Sequence, residues 1–155
     1  LWSLALLRVL IGWHFLYEGV AKLLKPDWSA QGFLLQSKWI FSGLFHWMAQ
    51  EPGVLSVVNF LNIWGLILIG LALILGIFSR FASIAGVALI LLYYLCNPPF
   101  IGLYYSMPSE GNYIIVNKNL VELGALLVLA VFPTGRMAGL DHILHKLIKT
   151  RKSSK

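Results

Sequence analysis

The sequence predicts an all-α polytopic membrane protein, a four-transmembrane-helix bundle. Interfacial helices are expected in its first outer connection and an amphipathic helix at its C-terminus. Three observations carry that expectation. Hydrophobic residues make up 59% of the chain and charged ones only 12%, about half the charged share of an ordinary globular protein. Three long apolar runs and one shorter one approach the ~20 residues needed to cross a hydrocarbon core. Breaks rich in proline, glycine or charge separate them, so all 155 residues read as one membrane domain.

The first span, about residues 2–24, ends at Lys25-Pro26-Asp27, because proline removes a ladder donor and biases its predecessor out of the helix. Residues 27–53 are too aromatic for an ordinary solvated loop. Trp28, Phe33, Trp39, Phe41, Phe45 and Trp47 recur among serines and glutamines, a mixture that favours the headgroup zone and one or two short interfacial or re-entrant helices. Glu51-Pro52-Gly53 then breaks the chain. The second span covers about 54–78, and Ser79-Arg80 is expected as the turn into an antiparallel third span, about 81–97, stopped by Asn97-Pro98-Pro99. A second ordered connection follows, over 100–118. The fourth span, about 117–132, is short at roughly 24 Å of helix and ends at Pro133-Thr134-Gly135-Arg136. In the tail, 140–155, Leu140, Ile143, Leu144, Leu147 and Ile148 share one face, the spacing of an amphipathic helix lying on a membrane.

Net charge is +6, and five basic residues fall within the last ten. That density fits anionic headgroups better than nucleic acid. With four spans, Arg80, Arg136 and the five tail charges lie on one side, against Lys22, Lys25, Lys38 and Lys118 on the other. The positive-inside rule then puts both termini in the cytoplasm, the membrane being read as the bacterial inner membrane. The sequence begins at Leu1, so any segment ahead of it, with its targeting motifs, stays open. The single cysteine, Cys96, has no internal disulfide or dithiol partner and reads as an ordinary buried thiol.

Charge inside the first span is the main functional signal. On a wheel of about 100° per residue, Arg8, Gly12, Phe15, Gly19 and Lys22 fall within roughly 80° of one another, with Glu18 beside them. Ionisable groups at the bilayer centre cost about 2.5–3.5 kcal/mol on insertion scales, so they usually face a bundle interior or a wet cavity. The plain alternative is that Glu18 and Lys22, four apart, neutralise each other, while Arg8 and Lys22 snorkel to headgroups. Arg8 is expected as a structural charge near the cytoplasmic end, and Asp141 as a structural N-cap of the tail helix. Asn119 and Glu122, three apart, read either as a capping box or as part of a charge network across spans one and four. His14 is expected as a packed or hydrogen-bonded histidine, and Asn59 and Asn62 as bridges between helices through side-chain hydrogen bonds. His142 and His145 lack further ligands, so no metal site is expected. Neither a nucleotide loop nor a Ser-His-Asp order, CxxCH or HExxH motif is present.

The polar groups converge on an outer-side pocket. Its candidate catalytic residues are Glu18, Lys22 and Glu122, and its candidate ligand contacts Gly19, Asn59 and Asn119, walled by tyrosines and tryptophans. Such a pocket suits an amphipathic molecule with a polar head, such as a quinone.

The motifs RVLIG (8–12), GVAKL (19–23), LGIFSR (75–80), NKNLVE (117–122), FPTG (132–135) and GLD (139–141) together resemble the DoxX family of small membrane proteins, most closely its members from Bacteroidetes. That resemblance implies a four-helix bundle linked to membrane redox chemistry, since related proteins include the membrane subunit of a thiosulfate:quinone oxidoreductase. The leading expectation is therefore a quinone-interacting subunit of an oxidoreductase assembly, with quinone as cofactor. Its expected partners are the lipid bilayer and a protein subunit, with homo-oligomerisation left open. The alternative is a non-enzymatic scaffold of an envelope complex. A small transporter ranks lower, for want of an inverted repeat.

Overall fold

The structure, a computed structural model, describes residues 2–105, 114–132, 134–135 and 139–140. Within them the chain forms six helices and no strand: α1 (Trp2–Leu24), α2 (Gln31–Leu35), α3 (Ser42–Gln50), α4 (Pro52–Leu75), α5 (Ser79–Cys96) and α6 (Lys118–Val131). The expected tail helix, with Asp141, His142 and His145, lies outside the described residues.

Three helices, α1, α4 and α5, are long and apolar enough to cross a membrane. Their outward faces carry large apolar side chains in the open, among them Leu6, Trp13 and Tyr17 on α1, Phe60 and Leu68 on α4, and Phe81 and Leu92 on α5. Faces of this extent suit lipid, not water. The expected fourth span is a helix of 14 residues, which rises about 21 Å against a core of about 30 Å. Asn117 sets its start, its side chain accepting the Leu120 N–H at 3.1 Å. Phe132 leaves helical geometry at the other end, just before Pro133.

Two expected breaks shift. The break at Glu51-Pro52-Gly53 narrows to Glu51, extended between α3 and α4, while Pro52 already begins α4, at a position where its missing N–H is no loss. The turn between α4 and α5 is not Ser79-Arg80, which belong to the first turn of α5, but Gly76 to Phe78. Gly76 adopts φ +67°, and the Ile77 N–H returns to the Ala72 carbonyl at 3.0 Å, the Schellman pattern of a helix end.

The tightest seam joins α1 to α4. A Cβ added at Gly70 would stand 2.5 Å from the Leu16 nitrogen and 2.7 Å from the Gly12 carbonyl oxygen. At Gly12 it would meet the Gly70 oxygen at 2.9 Å, and at Gly19 the Ile67 nitrogen at 2.9 Å. Small residues here let two backbones touch, the usual basis of packing between apolar helices. The face of α1 formed by Arg8, Gly12, Phe15 and Gly19 is thus its buried packing face. Phe15, Leu66, Leu73 and Leu126 fill the core between α1, α4, α5 and α6.

Residues 27–53 are ordered as two short helices, α2 and α3. Leu34, Phe45 and Ala49 pack with Cys96 into a second apolar cluster over the ends of α4 and α5. Cys96 is buried there, its thiol 3.6 Å from the Phe33 carbonyl oxygen.

Arg8 marks the opposite end. It is 2% exposed, so it does not snorkel. Its Nη1 donates to the Thr134 hydroxyl at 3.4 Å, and its guanidinium lies against Gly76, which also touches Gly139. The beginning of α1, the α4–α5 turn and the residues after α6 therefore share one end of the bundle.

Gly70→Ala is expected to lower stability by about 1–3 kcal/mol, the usual cost of overpacking. Gly65→Ala, whose added Cβ meets nothing within 4 Å, is expected to melt close to the parent protein. Thermal unfolding in detergent compares the two.

Candidate functional site

At the end away from Arg8, the helices enclose a cavity of about 300 Å³. Phe15, Leu66 and Ile90 form its apolar base, and Trp28, Phe33 and Tyr93 form an aromatic wall. Its polar lining comes from four helices and the segment before α2: His14, Glu18 and Lys22 on α1, Ser29 ahead of α2, Asn62 on α4, Tyr93 on α5, and Lys118, Asn119 and Glu122 on α6.

Lys22 is held over the aromatic wall. Its ammonium lies 5.4 Å from the centre of the Trp28 ring and 5.5 Å from that of Tyr93, within cation–π range. Glu18, one turn back, stands 3.6 Å from it. With only 18% of its side chain exposed, Lys22 turns into the cavity, and Glu18 is the more open partner.

Asn62 and Tyr93 form the deepest polar pair. The Asn62 amide donates to the Tyr93 hydroxyl oxygen at 2.7 Å, which leaves the Tyr93 O–H to donate elsewhere. The Asn62 carbonyl oxygen is buried and accepts no hydrogen bond among the described residues. Such an orphaned acceptor ordinarily costs about 1–3 kcal/mol, and here it borders open space.

His14 and Glu122 share a proton across 2.7 Å between Nδ1 and Oε1. Glu122 is the more buried, at 12% side-chain exposure against 43% for His14. The capping-box reading of Asn119 and Glu122 fails, because the cap is Asn117 and the helix starts one residue before Asn119. Glu122 thus lies beyond the capping position and is left to bond across helices. A network between α1 and α6 does exist, and it runs through His14.

The structure brings Glu18, Lys22, Asn119 and Glu122 to one cavity and leaves two expected ligand contacts off its lining. Gly19 faces α4, against Leu66 and Ile67, because its missing side chain serves the helix seam. Asn59 accepts the Ala30 N–H at 2.9 Å, and its amide reaches the Ser29 hydroxyl at 3.4 Å. It fixes the 28–30 segment that carries Trp28, and so positions a wall without forming one.

Sequence reasoning missed His14, Asn62, Phe33 and Lys118. For His14 a signal existed: residues 14, 18 and 22 recur every four positions and span only about 80° of the wheel. Asn62 carried one too, since it continues the stripe of Leu66, Ile69 and Leu73 that α4 buries. Phe33 and Lys118 had none, because their positions depend on how the connections fold back.

A double-mutant cycle with His14→Leu and Glu122→Leu is expected to show a coupling of about 1 kcal/mol, with the double variant more stable than either single one. Removing one partner strands the other, whereas removing both leaves an apolar contact. Thermal melts of the four proteins measure it, and additive effects would mean that the 2.7 Å contact adds nothing.

Comparison with curated proteins and with solved structures finds no match. The DoxX family model matches residues 3–96, more than half of the 155. The matched region contains α1 to α5, and with them His14, Glu18, Lys22, Asn62 and Tyr93. On that match the chain belongs to the DoxX family.

Proposed function

We propose that this membrane protein is a quinone-interacting subunit of an oxidoreductase assembly, and that the cavity between α1, α4, α5 and α6 receives the polar ring. In this reading α6, packed on α5, completes a four-helix bundle. The membrane is the bacterial inner membrane with both termini cytoplasmic, α2 and α3 lying at the outer interface.

The observation that carries the proposal is the pairing of an aromatic wall with unused hydrogen-bonding capacity. At about 300 Å³ the cavity lies at the low end of small-molecule sites, enough for a ring and not for a long tail. The Tyr93 hydroxyl and the Lys22 ammonium can donate to a ring carbonyl. The orphaned Asn62 oxygen can accept from the hydroxyl of the reduced form. A bound quinone would supply two-electron chemistry coupled to proton uptake. For that exchange the chain offers Glu18, half open at 47% side-chain exposure, and the His14–Glu122 pair as proton carriers.

The test is binding of a short-chain quinone to purified protein, followed by quenching of tryptophan fluorescence, Trp28 lining the cavity. Lys22→Met and Tyr93→Phe are each expected to weaken binding about tenfold, near the worth of one good hydrogen bond. Glu18→Gln is expected to weaken it less. Equal binding in all three variants would sink these assignments. Isolation with a stoichiometric partner and no quinone binding would favour the scaffold reading instead.

A further inference from the structure

We infer that the ligand of this cavity carries a long aliphatic or isoprenoid chain, and that the chain lies in the groove between α1 and α6. The inference rests on the cavity taking an amphipathic ring, and adds where the apolar remainder goes.

A second depression, about 630 Å³ in volume, opens on the surface between these helices. Its sides are apolar, with Leu10 and Ile11 on α1 and Val121 and Ala125 on α6. Leu10 and Val121 are strongly exposed, so the groove faces whatever surrounds the bundle. His14, Lys118 and Glu122 line both the groove and the cavity. The two spaces therefore share one wall, and the His14–Glu122 contact is part of it. On one side lie Lys22, Tyr93 and Asn62, and on the other the apolar flanks of α1 and α6, with Val116 and Asn117 just ahead of α6.

This adjacency sets the occupant. A ring in the cavity has its polar edge toward Asn62 and Tyr93, and its substituent is assigned the exit past α1 and α6, where the shared wall stands. From His14 to Leu7 the groove follows about 10 Å of helix rise, room for the first part of a chain whose remainder continues into lipid. The seam is also looser than the α1–α4, α4–α5 and α5–α6 contacts, α1 packing mainly on α4 and α6 mainly on α5. A quinone tail and the acyl chain of a bilayer phospholipid have the same chemistry here, so the experiment must separate them.

The full chain is reconstituted in phosphatidylcholine vesicles with one of two photoreactive probes. One is a naphthoquinone bearing a diazirine on its isoprenoid chain, the other a phosphatidylcholine bearing it on an acyl chain. Adducts are mapped by mass spectrometry. Adducts of the quinone probe are expected at Leu10 and Val121, suppressed roughly tenfold by an excess of unlabelled long-chain quinone. In parallel, Ala125→Phe, which narrows the groove, is expected to weaken the long-chain quinone about tenfold and leave 2-methyl-1,4-naphthoquinone within about twofold. Retained binding of the tailless ring also shows that the variant is folded. If the tailless ring binds but the tail labels other sites, the groove assignment falls and the cavity reading stands. If the phospholipid probe labels the groove and quinone does not displace it, the groove belongs to bilayer lipid and the inference is overturned. If neither quinone binds the parent protein, the cavity reading fails and takes this inference with it.

Discussion

The rest of the structure depends on the backbone contact between α1 and α4. Gly12, Gly19 and Gly70 have no side chains of their own to hold the two backbones apart. In an apolar solvent, burying leucine against leucine gains little over leaving it in lipid, so close packing must supply the association. The contact also sets rotation. With Gly12, Phe15 and Gly19 committed to the seam, the neighbouring stripe of His14, Glu18 and Lys22 faces the gap toward α5 and α6. A rotation of α1 by one residue, about 100°, would send those polar groups into lipid. The seam thus decides that there is a cavity and what lines it.

Within that frame, each buried polar group is treated according to its cost. Arg8 is inside the fold but is met by Thr134 and the backbone around Gly76. Lys22 has Glu18 and two ring faces, and His14 has Glu122. Unpaired charges in low-dielectric surroundings are expensive, and these arrangements lower the expense with local partners. The Asn62 oxygen is the contrast. It is buried and unsatisfied beside the cavity, while the amide of the same side chain ties α4 to α5 through the Tyr93 hydroxyl.

Much of the fold could be read from the sequence because membrane helices are selected on length and hydropathy alone. The three long helices, the order inside residues 27–53 and the packing role of the glycines follow from those two quantities and from the turn residues. Boundaries were less legible where one residue type serves two purposes. Pro52 belongs to the helix that follows the break at Glu51, and Gly76 makes the turn that the polar pair Ser79-Arg80 seemed to mark. The site was half legible. Glu18, Lys22 and Glu122 stand out because charge is rare in such a chain. The error lay in anchoring the wheel on Arg8, which merged a packing face with a polar one and drew Gly19 into the site. Asn62 was marked by the stripe it continues with Leu66, Ile69 and Leu73, whereas the role of Asn59 depends on where the 28–30 segment folds back, a tertiary fact that spacing along one helix does not contain.

The four core helices form two tight pairs, α1 with α4 and α5 with α6, linked through the short α4–α5 turn. Closing such an arrangement leaves one seam, between α1 and α6, where apolar packing is weakest. That seam is where His14 and Glu122 meet. A polar contact adds little cohesion between helices in lipid, and apolar residues at both positions would close the seam more cheaply. A histidine and a carboxylate in hydrogen-bond contact tie α1 to α6 at a single point. That point lies between the polar cavity and the apolar groove, so any molecule that occupied both spaces would pass the same pair of side chains.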